Sequence, residues 1–143
     1  MNDSTSNIYK TARLRAGMKR DPVAEELHID VRTLDKYEAL DGKVPDETVK
    51  QMCILYNNSF LGYQHLKRSP LGEFLPELTE ETLKGATLTM VDDINTVNDR
   101  LKNIIKIMSD GVINEDERPE WERNRKEMTR LVSSLLTLLL TSE

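Results

Sequence analysis

The stretch from Gly17 to Glu38, GMKRDPVAEELHIDVRTLDKYE, constrains this chain more than any other, because its apolar residues fit one local arrangement. Val23, Ala24 and Leu27 share one face at helical spacing, Leu34 and Tyr37 share another, and Ile29 lies between them. Two short helices joined by a turn of three or four residues satisfy that pattern. Ala24 is small enough to let the helices cross closely. Asp30 is placed to cap the second helix, its carboxylate accepting a backbone N–H of the first turn. Val31, Arg32, Asp35 and Lys36 are then left on that helix's outer face. Pro22 suits a first helical turn, where its missing N–H has no partner to lose, so Asp21 is expected to cap the first helix. His28 falls in the turn, where a left-handed backbone is needed, and histidine tolerates that region better than most residues.

These residue types at this spacing resemble the helix-turn-helix of Cro/CI-type phage repressors and related bacterial regulators, the xenobiotic-response-element family. The resemblance runs through Gly17, Val23, Ala24, Leu27, Ile29, Arg32, Thr33, Leu34, Tyr37 and Glu38, with a turn at Gly42 and a further helix after Pro45. It covers roughly half of the chain. It implies that the second helix enters the major groove of double-stranded DNA. On that reading Val31, Arg32, Asp35 and Lys36 face base edges, while Lys19, Arg20, Thr33 and Lys43 lie at backbone phosphates. The chain departs from the family at three points. Lys19 and Arg20 stand where the family opens its first helix with Thr-Gln, so a charge replaces an amide at the phosphate contact. His28 replaces the turn glycine. Asp35 puts a carboxylate on the reading face, where phosphate repels it and only a base donor such as cytosine N4 can satisfy it.

Charge distributes unevenly. The net charge is −5, but residues 1–68 hold 11 Lys and Arg against 10 Asp and Glu, whereas residues 69–143 hold 9 against 15. The acidity therefore belongs to the second half. In the first half Lys10, Arg13, Lys19, Arg20, Arg32, Lys36 and Lys43 sit in or beside the motif and can form one basic rim, the feature that supplies non-specific affinity for DNA. The single cysteine, Cys53, excludes an internal disulfide and suits a reducing compartment. The polar start MNDSTSN has no signal-peptide pattern and no apolar run reaches the roughly twenty residues that span a bilayer, so a cytoplasmic protein without a membrane partner is expected.

Along the chain the spacing predicts five short helices, a break and two long helices. The first runs from about Asn7 to Ala16, with Ile8 and Ala12 inward, Leu14 or Arg15 flanking the core, and Gly17 at its end. A fourth begins near Asp46 with Val49, Met52, Cys53 and Tyr56 on one face, and Asn57 and Asn58 stop it. Phe60, Leu61, Tyr63 and Leu66 mark a fifth. Pro70, Gly72 and Pro76 then break regular structure, and Leu71, Phe74 and Leu75 predict a linker packed on a neighbour. From Glu80 to Ser109 one helix of about thirty residues is expected, roughly 45 Å long, with Thr79 as its cap. Leu83, Thr87, Met90, Ile94, Val97, Leu101, Ile104 and Met108 recur at alternating intervals of four and three, a coiled-coil seam. The last helix answers with Trp121, Met128, Leu131, Leu135 and Leu138, and its surplus of leucines predicts packing against a second copy or against the N-terminal bundle; a homodimer closed as a four-helix bundle is the favoured arrangement, and an intramolecular core the alternative.

The connection DGVINEDE looks like the second half of a calcium loop. Lys106 and Met108 stand where the first two oxygen ligands belong, so the segment reads as a helix stop at Gly111 followed by a capping box of Asn114 and Glu117. The next helix can begin anywhere from Asn114 to Pro119. His28 and His65 have no companion ligands, and no glycine-rich phosphate loop or nucleophile elbow is present, so neither metal, cofactor nor catalysis is expected.

The sequence thus predicts an all-α chain. A five-helix, repressor-like DNA-binding bundle occupies residues 1–68, a packed linker 69–79, and a long antiparallel two-helix hairpin 80–143. The resemblance implies a sequence-specific, dimeric transcription regulator of phage or mobile-element type. The alternative is a protein-interaction module that keeps the helix-turn-helix fold without binding DNA.

Overall fold

Local capping decides where each helix starts and stops in the computed structural model, which describes residues 7–39 and 43–141. Every regular element among these residues is helical. The order is α1 (Ile8–Arg15), α2 (Arg20–Glu26), α3 (Val31–Tyr37), α4 (Asp46–Leu55), α5 (Ser59–Lys67), a 3-10 helix (Pro70–Phe74), α6 (Leu83–Ile107) and α7 (Arg118–Leu140). Two compact units divide between Leu75 and Pro76. The turn expected at Gly42 lies outside the described residues.

The side chains of Asn7, Asp30, Asn58 and Thr82 accept backbone N–H groups at the starts of α1, α3, α5 and α6, satisfying donors that have no partner within the helix. Two starts differ from the sequence expectation. Asp21 does not cap α2 but lies inside its first turn, because Pro22 already has a helical φ there and the helix extends back to Arg20. The long helix starts at Leu83 and not Glu80, with Thr82 as its cap in place of Thr79. Glu81 instead accepts from the Thr89 hydroxyl at 3.3 Å. Ahead of α7 the Asn114 side chain accepts from the Glu117 N–H at 3.0 Å and Glu117 accepts from the Asn114 N–H at 3.2 Å, the reciprocal pair of a capping box.

Three of the short helices end alike. Beyond α1, α2 and α4 stand Gly17, His28 and Asn57, with φ of 68°, 54° and 49°. In each case the next residue's N–H reaches back five positions, Met18 to Arg13, Ile29 to Ala24 and Asn58 to Cys53, at 2.9–3.1 Å. That is the Schellman closure, which pairs carbonyls the helix leaves open. Gly72 serves a different purpose: it is buried, and a Cβ there would collide with the Lys67 carbonyl where the 3-10 helix folds back on α5.

In the first unit Ala12, Val23, Ala24, Leu27 and Leu34 from α1–α3 meet Val49, Met52, Tyr56 and Leu61 from α4 and α5. Leu34, Met52 and Leu61 are 0% exposed. Two expectations for α1 change: Leu14 points outward, and Tyr9 and Arg13 take the inward positions. Arg13 is therefore not part of a basic rim. Its Nε donates to Glu38 Oε1 at 2.6 Å and its Nη2 to Oε2 at 2.8 Å, while Nη1 donates to the Met18 carbonyl at 2.9 Å. Both side chains are about 95% removed from solvent, at 6% and 5% exposure. Asn7, besides capping α1, donates to the carbonyls of Tyr37 at 3.0 Å and Ala39 at 2.7 Å. One more polar chain crosses this unit, from the Tyr9 hydroxyl to His65 Nδ1 at 2.7 Å and from His65 Nε2 to Asp46 at 2.9 Å. Burial pushes the Tyr9 phenol up, partly opposed by Arg68. The Tyr56 hydroxyl is buried with no hydrogen-bond partner among the described residues, and burial raises its pKa strongly.

The linker expected to pack is open on two of its three apolar side chains, Leu71 and Phe74, because the 3-10 helix turns Gly72 inward instead. Lys67 holds this turn by donating to the carbonyls of Gly72 and Leu75 at 3.0 and 2.7 Å.

In the second unit α6 and α7 run antiparallel, as their contacts show: Arg130 meets Asp93 at 3.1 Å, and Arg100 meets Glu120 at 3.2 Å. Here the structure alters the sequence reading of the seam in part: of the predicted stripe Met90, Val97 and Ile104 are half-buried, whereas Leu83, Thr87, Ile94, Leu101 and Met108 are exposed. The residues buried between the helices are Ala86, Asp93 and Ile107 on α6 and Asn124, Ser134 and Thr137 on α7. Asn124 is 0% exposed, donating to Asn103 at 2.7 Å and accepting from Arg100 at 3.2 Å. The predicted stripe lies to one side of this line, with Leu83, Ile94, Leu101 and Met108 all between 42% and 46% exposed. The interval of three and four matches the helix, but its inward line is rotated from the predicted stripe, because Asp93, Arg100 and Asn103 share that side with Ala86 and Ile107.

Two outcomes follow for stability. Glu38→Ala leaves the Arg13 guanidinium buried and unpaired and is expected to destabilise the first unit by about 3–5 kcal/mol, seen as a lowered urea midpoint, whereas the apolar pair Arg13→Met with Glu38→Leu costs far less. His28→Gly relieves a left-handed side chain and is expected to raise the midpoint by the equivalent of about 0.5–1 kcal/mol.

Candidate functional site

The α2–turn–α3 segment presents its outer surface as the inverse of its core. Leu34 faces fully inward, which in a helix of seven residues leaves Arg32, Asp35 and Lys36 pointing outward, and all three are exposed. Val31, expected beside them, is half-buried and packed against the core. It sits three residues before Leu34 and follows it inward.

Asp30 sets the start of α3. Its carboxylate accepts from the Thr33 N–H at 2.8 Å and the Thr33 hydroxyl at 3.1 Å. These two bonds, the backbone one first, hold its carboxyl below the ordinary 3.8. The same bond defines Thr33: with its proton committed to Asp30, the hydroxyl offers lone pairs outward and no donor for a phosphate.

Arg20 and Asp35, two of the residues at which the chain departs from the pattern it resembles, meet each other. Arg20 Nη1 lies 3.0 Å from Asp35 Oδ1, both side chains about half exposed, joining the first residue of α2 to the middle of α3. The sequence reading assigned one to a phosphate and the other to a base and did not pair them. The contact has two electrostatic effects. It neutralises the carboxylate that a polyanion would otherwise meet on this surface, and it occupies the guanidinium that would meet the polyanion. The pair is open to solvent, so it is worth little to stability and is easily exchanged for another partner.

Lys19, Arg32, Lys36 and Lys43 are exposed, as is Lys10. Asp21, Glu25 and Glu26 are exposed on α2. The surface of the segment is therefore mixed in sign, with Arg32 and Lys36 together on α3. Beneath α2 a hollow lined by Gly17, Met18, Pro22, Val23 and Leu55 is mostly apolar, with Lys19 and Glu26 at its margin. Sequence reasoning did not find it, because it joins residues nearly forty positions apart.

In the second unit Trp121, Met128, Leu131 and Leu138 are half-buried and Leu135 is 38% exposed. Leu131 and Leu138 follow Asn124 by seven and fourteen positions and share its side of α7, whereas Trp121, Met128 and Leu135 lie beside that line. The opposite side of the hairpin carries a cleft lined by Thr89, Glu122, Arg125, Lys126, Ser133 and Ser134, with the Asp93–Arg130 ion pair in its wall. Among the described residues no group of three or more His, Cys, Asp or Glu side chains is arranged to hold a metal ion, and no helix is long and apolar enough to cross a membrane.

Cys53 is half-buried, and burial raises its thiol above the ordinary value, which makes it a poor nucleophile.

No protein-family model, curated protein or solved structure matches this chain.

Proposed function

We propose that the first unit binds double-stranded DNA through α3 and that the chain is a sequence-specific transcription regulator. The observation that carries this reading is the outward pair Arg32 and Lys36, held on a short capped helix whose opposite side is anchored by the fully buried Leu34. Rigid presentation matters because a base contact is worth having only if the side chain arrives at the groove without loss of order. The five short helices serve as a repressor-like bundle that supports it. Arg32 donates to guanine O6 and N7, and Lys36 donates to guanine or to a phosphate. Lys19 and Lys43 supply phosphate contacts. Arg20 joins them by exchanging Asp35 for a phosphate oxygen, which frees the carboxylate to accept from cytosine N4. Val31 contributes to the packing of α3 more than to any base.

The Arg20–Asp35 pair also favours a second reading, in which the same surface binds a protein. A surface of mixed sign with an internal ion pair suits a protein partner as well as a duplex. The two readings separate on salt dependence. Fluorescence anisotropy with labelled duplex from the DNA flanking its own coding sequence is expected to show binding that weakens steeply as salt rises. Absence of binding at low salt overturns the DNA reading in favour of the protein one.

Two substitutions refine the test. Arg32→Ala is expected to cost ~1–3 kcal/mol on the specific duplex and to relax one position of the site, leaving random duplex little changed. Unchanged discrimination between specific and random duplex in that variant removes Arg32 from base recognition. Asp35→Asn removes a repelled charge and the partner that Arg20 must leave to reach a phosphate, so binding to random duplex is expected to strengthen.

A further inference from the structure

Asp93 is a buried carboxylate short of partners, and we propose that the cleft it borders in the second unit binds a small aliphatic diamine. The inference rests on that unit alone and not on the DNA reading. The Asp93 side chain is 4% exposed, and the Arg130 guanidinium, 3.1 Å from Oδ1, is the one polar group that meets its carboxylate among the described residues. Arg130 is itself half-exposed and shared with Glu127 at 3.4 Å. An ionised carboxylate accepts about four hydrogen bonds, and away from water each one missing costs free energy.

The cleft has a volume of about 510 Å³ and lies between α6, α7 and the segment that leads into α6. Its hydroxyls are set to accept. Thr129 donates to the Arg125 carbonyl, Ser133 to that of Thr129, Ser134 to that of Leu131, and Thr89 to Glu81 Oε2, at 2.9–3.3 Å. With their protons committed, these oxygens offer lone pairs to whatever enters. Thr137 differs. It is 4% exposed and lines the cleft, yet its hydroxyl has no hydrogen-bond partner among the described residues. A buried hydroxyl left open in this way is satisfied by a polar group in the cleft.

This lining selects a cation with N–H donors. An anion would meet the carboxylates of Asp93, Glu81 and Glu122, and two of the basic side chains on the cleft are already paired, Arg125 with Glu122 at 3.6 Å and Arg130 with Asp93. Lys126 is exposed and stands at the rim. Spacing then selects two charges. Thr89 precedes Asp93 by four residues on the same face of α6, and Thr89 holds Glu81, so the two carboxylates stand one helical turn apart, roughly 5.4 Å along the axis. A short chain of methylenes bridges that distance. An ammonium group at each carboxylate, with the oxygens of Ser133, Ser134 and Thr137 taking remaining N–H groups, satisfies the lining without displacing any bond within it.

The test is isothermal titration of the full chain with diaminobutane at low ionic strength, which is expected to saturate at one site. Butylamine, with a single ammonium, is expected to bind roughly tenfold more weakly, and succinate, a dianion, not to compete. Asp93→Asn keeps the shape of the side chain, removes its charge and is expected to weaken diaminobutane binding by about tenfold or more. Thr137→Val removes only a hydroxyl that has no partner and is expected to weaken it severalfold. Asp116→Asn takes a charge from the exposed connection between α6 and α7 and is expected to change nothing. Absence of saturable diaminobutane binding overturns the proposal. So does butylamine bound as tightly as diaminobutane, or an Asp93→Asn chain with wild-type affinity. An Asp116→Asn chain weakened as much as Asp93→Asn marks a diffuse attraction to an acidic chain, and displacement by succinate marks an anion site; either result overturns it equally. Should Asp93→Asn lose its helical circular dichroism, Thr137→Val decides, and unchanged affinity in that variant overturns the proposal.

Discussion

The bidentate contact between Arg13 and Glu38 fixes where the outward surface of the first unit points. Glu38 immediately follows α3, and Arg13 reaches it from α1 while also binding the Met18 carbonyl at the entrance to α2. One guanidinium thus ties three helices together. Asn7 repeats the constraint from the start of α1 with two bonds to the carbonyls of Tyr37 and Ala39. A buried ion pair is a weak source of net stability, since desolvation offsets most of its attraction. Its contribution is directional. Apolar packing through Leu34 holds α3 against the core but leaves rotation and sliding soft, whereas a forked hydrogen bond accepts one geometry.

Helix ends were the part of this fold most open to reading. Asp30, Asn58, Gly17, His28 and Asn57 act on backbone groups within a few residues of themselves, so their effect is already present in the local sequence. The contacts that organise the outward surface are another matter. Arg13 and Glu38 are twenty-five positions apart, Arg20 and Asp35 fifteen. Charged residues leave no periodic trace, and a buried arginine has the same pattern as an exposed one until its partner is known. For that reason the sequence pattern groups Arg13 with surface cations and offers Arg20 and Asp35 separate partners. Val31 turns inward for a related reason: in a helix of seven residues one turn decides inward from outward, and the apolar count is too small to show it in sequence.

The second unit exposes a different limit. The three-four interval of apolar residues on α6 correctly marks an amphipathic helix, but amphipathicity states only that an apolar face will be covered, not by which helix. The inner line, Asp93, Arg100, Asn103, Asn124 and Glu120, has the composition of a solvated face. Nothing in sequence alone separates a polar seam from a polar surface.

The complete burial of Asn124 has a consequence for how the two long helices find their alignment. Sliding α7 by one heptad along α6 leaves every apolar stripe on the same side and nearly the same length, so hydrophobic burial barely distinguishes the shifted pairing from the native one. Only the directional contacts notice. Moved by one repeat, Asn124 loses Asn103 and Arg100, and Asp93 loses Arg130, stranding polar groups away from water. The polar contacts of the seam thus act as the ruler of the hairpin and set its register.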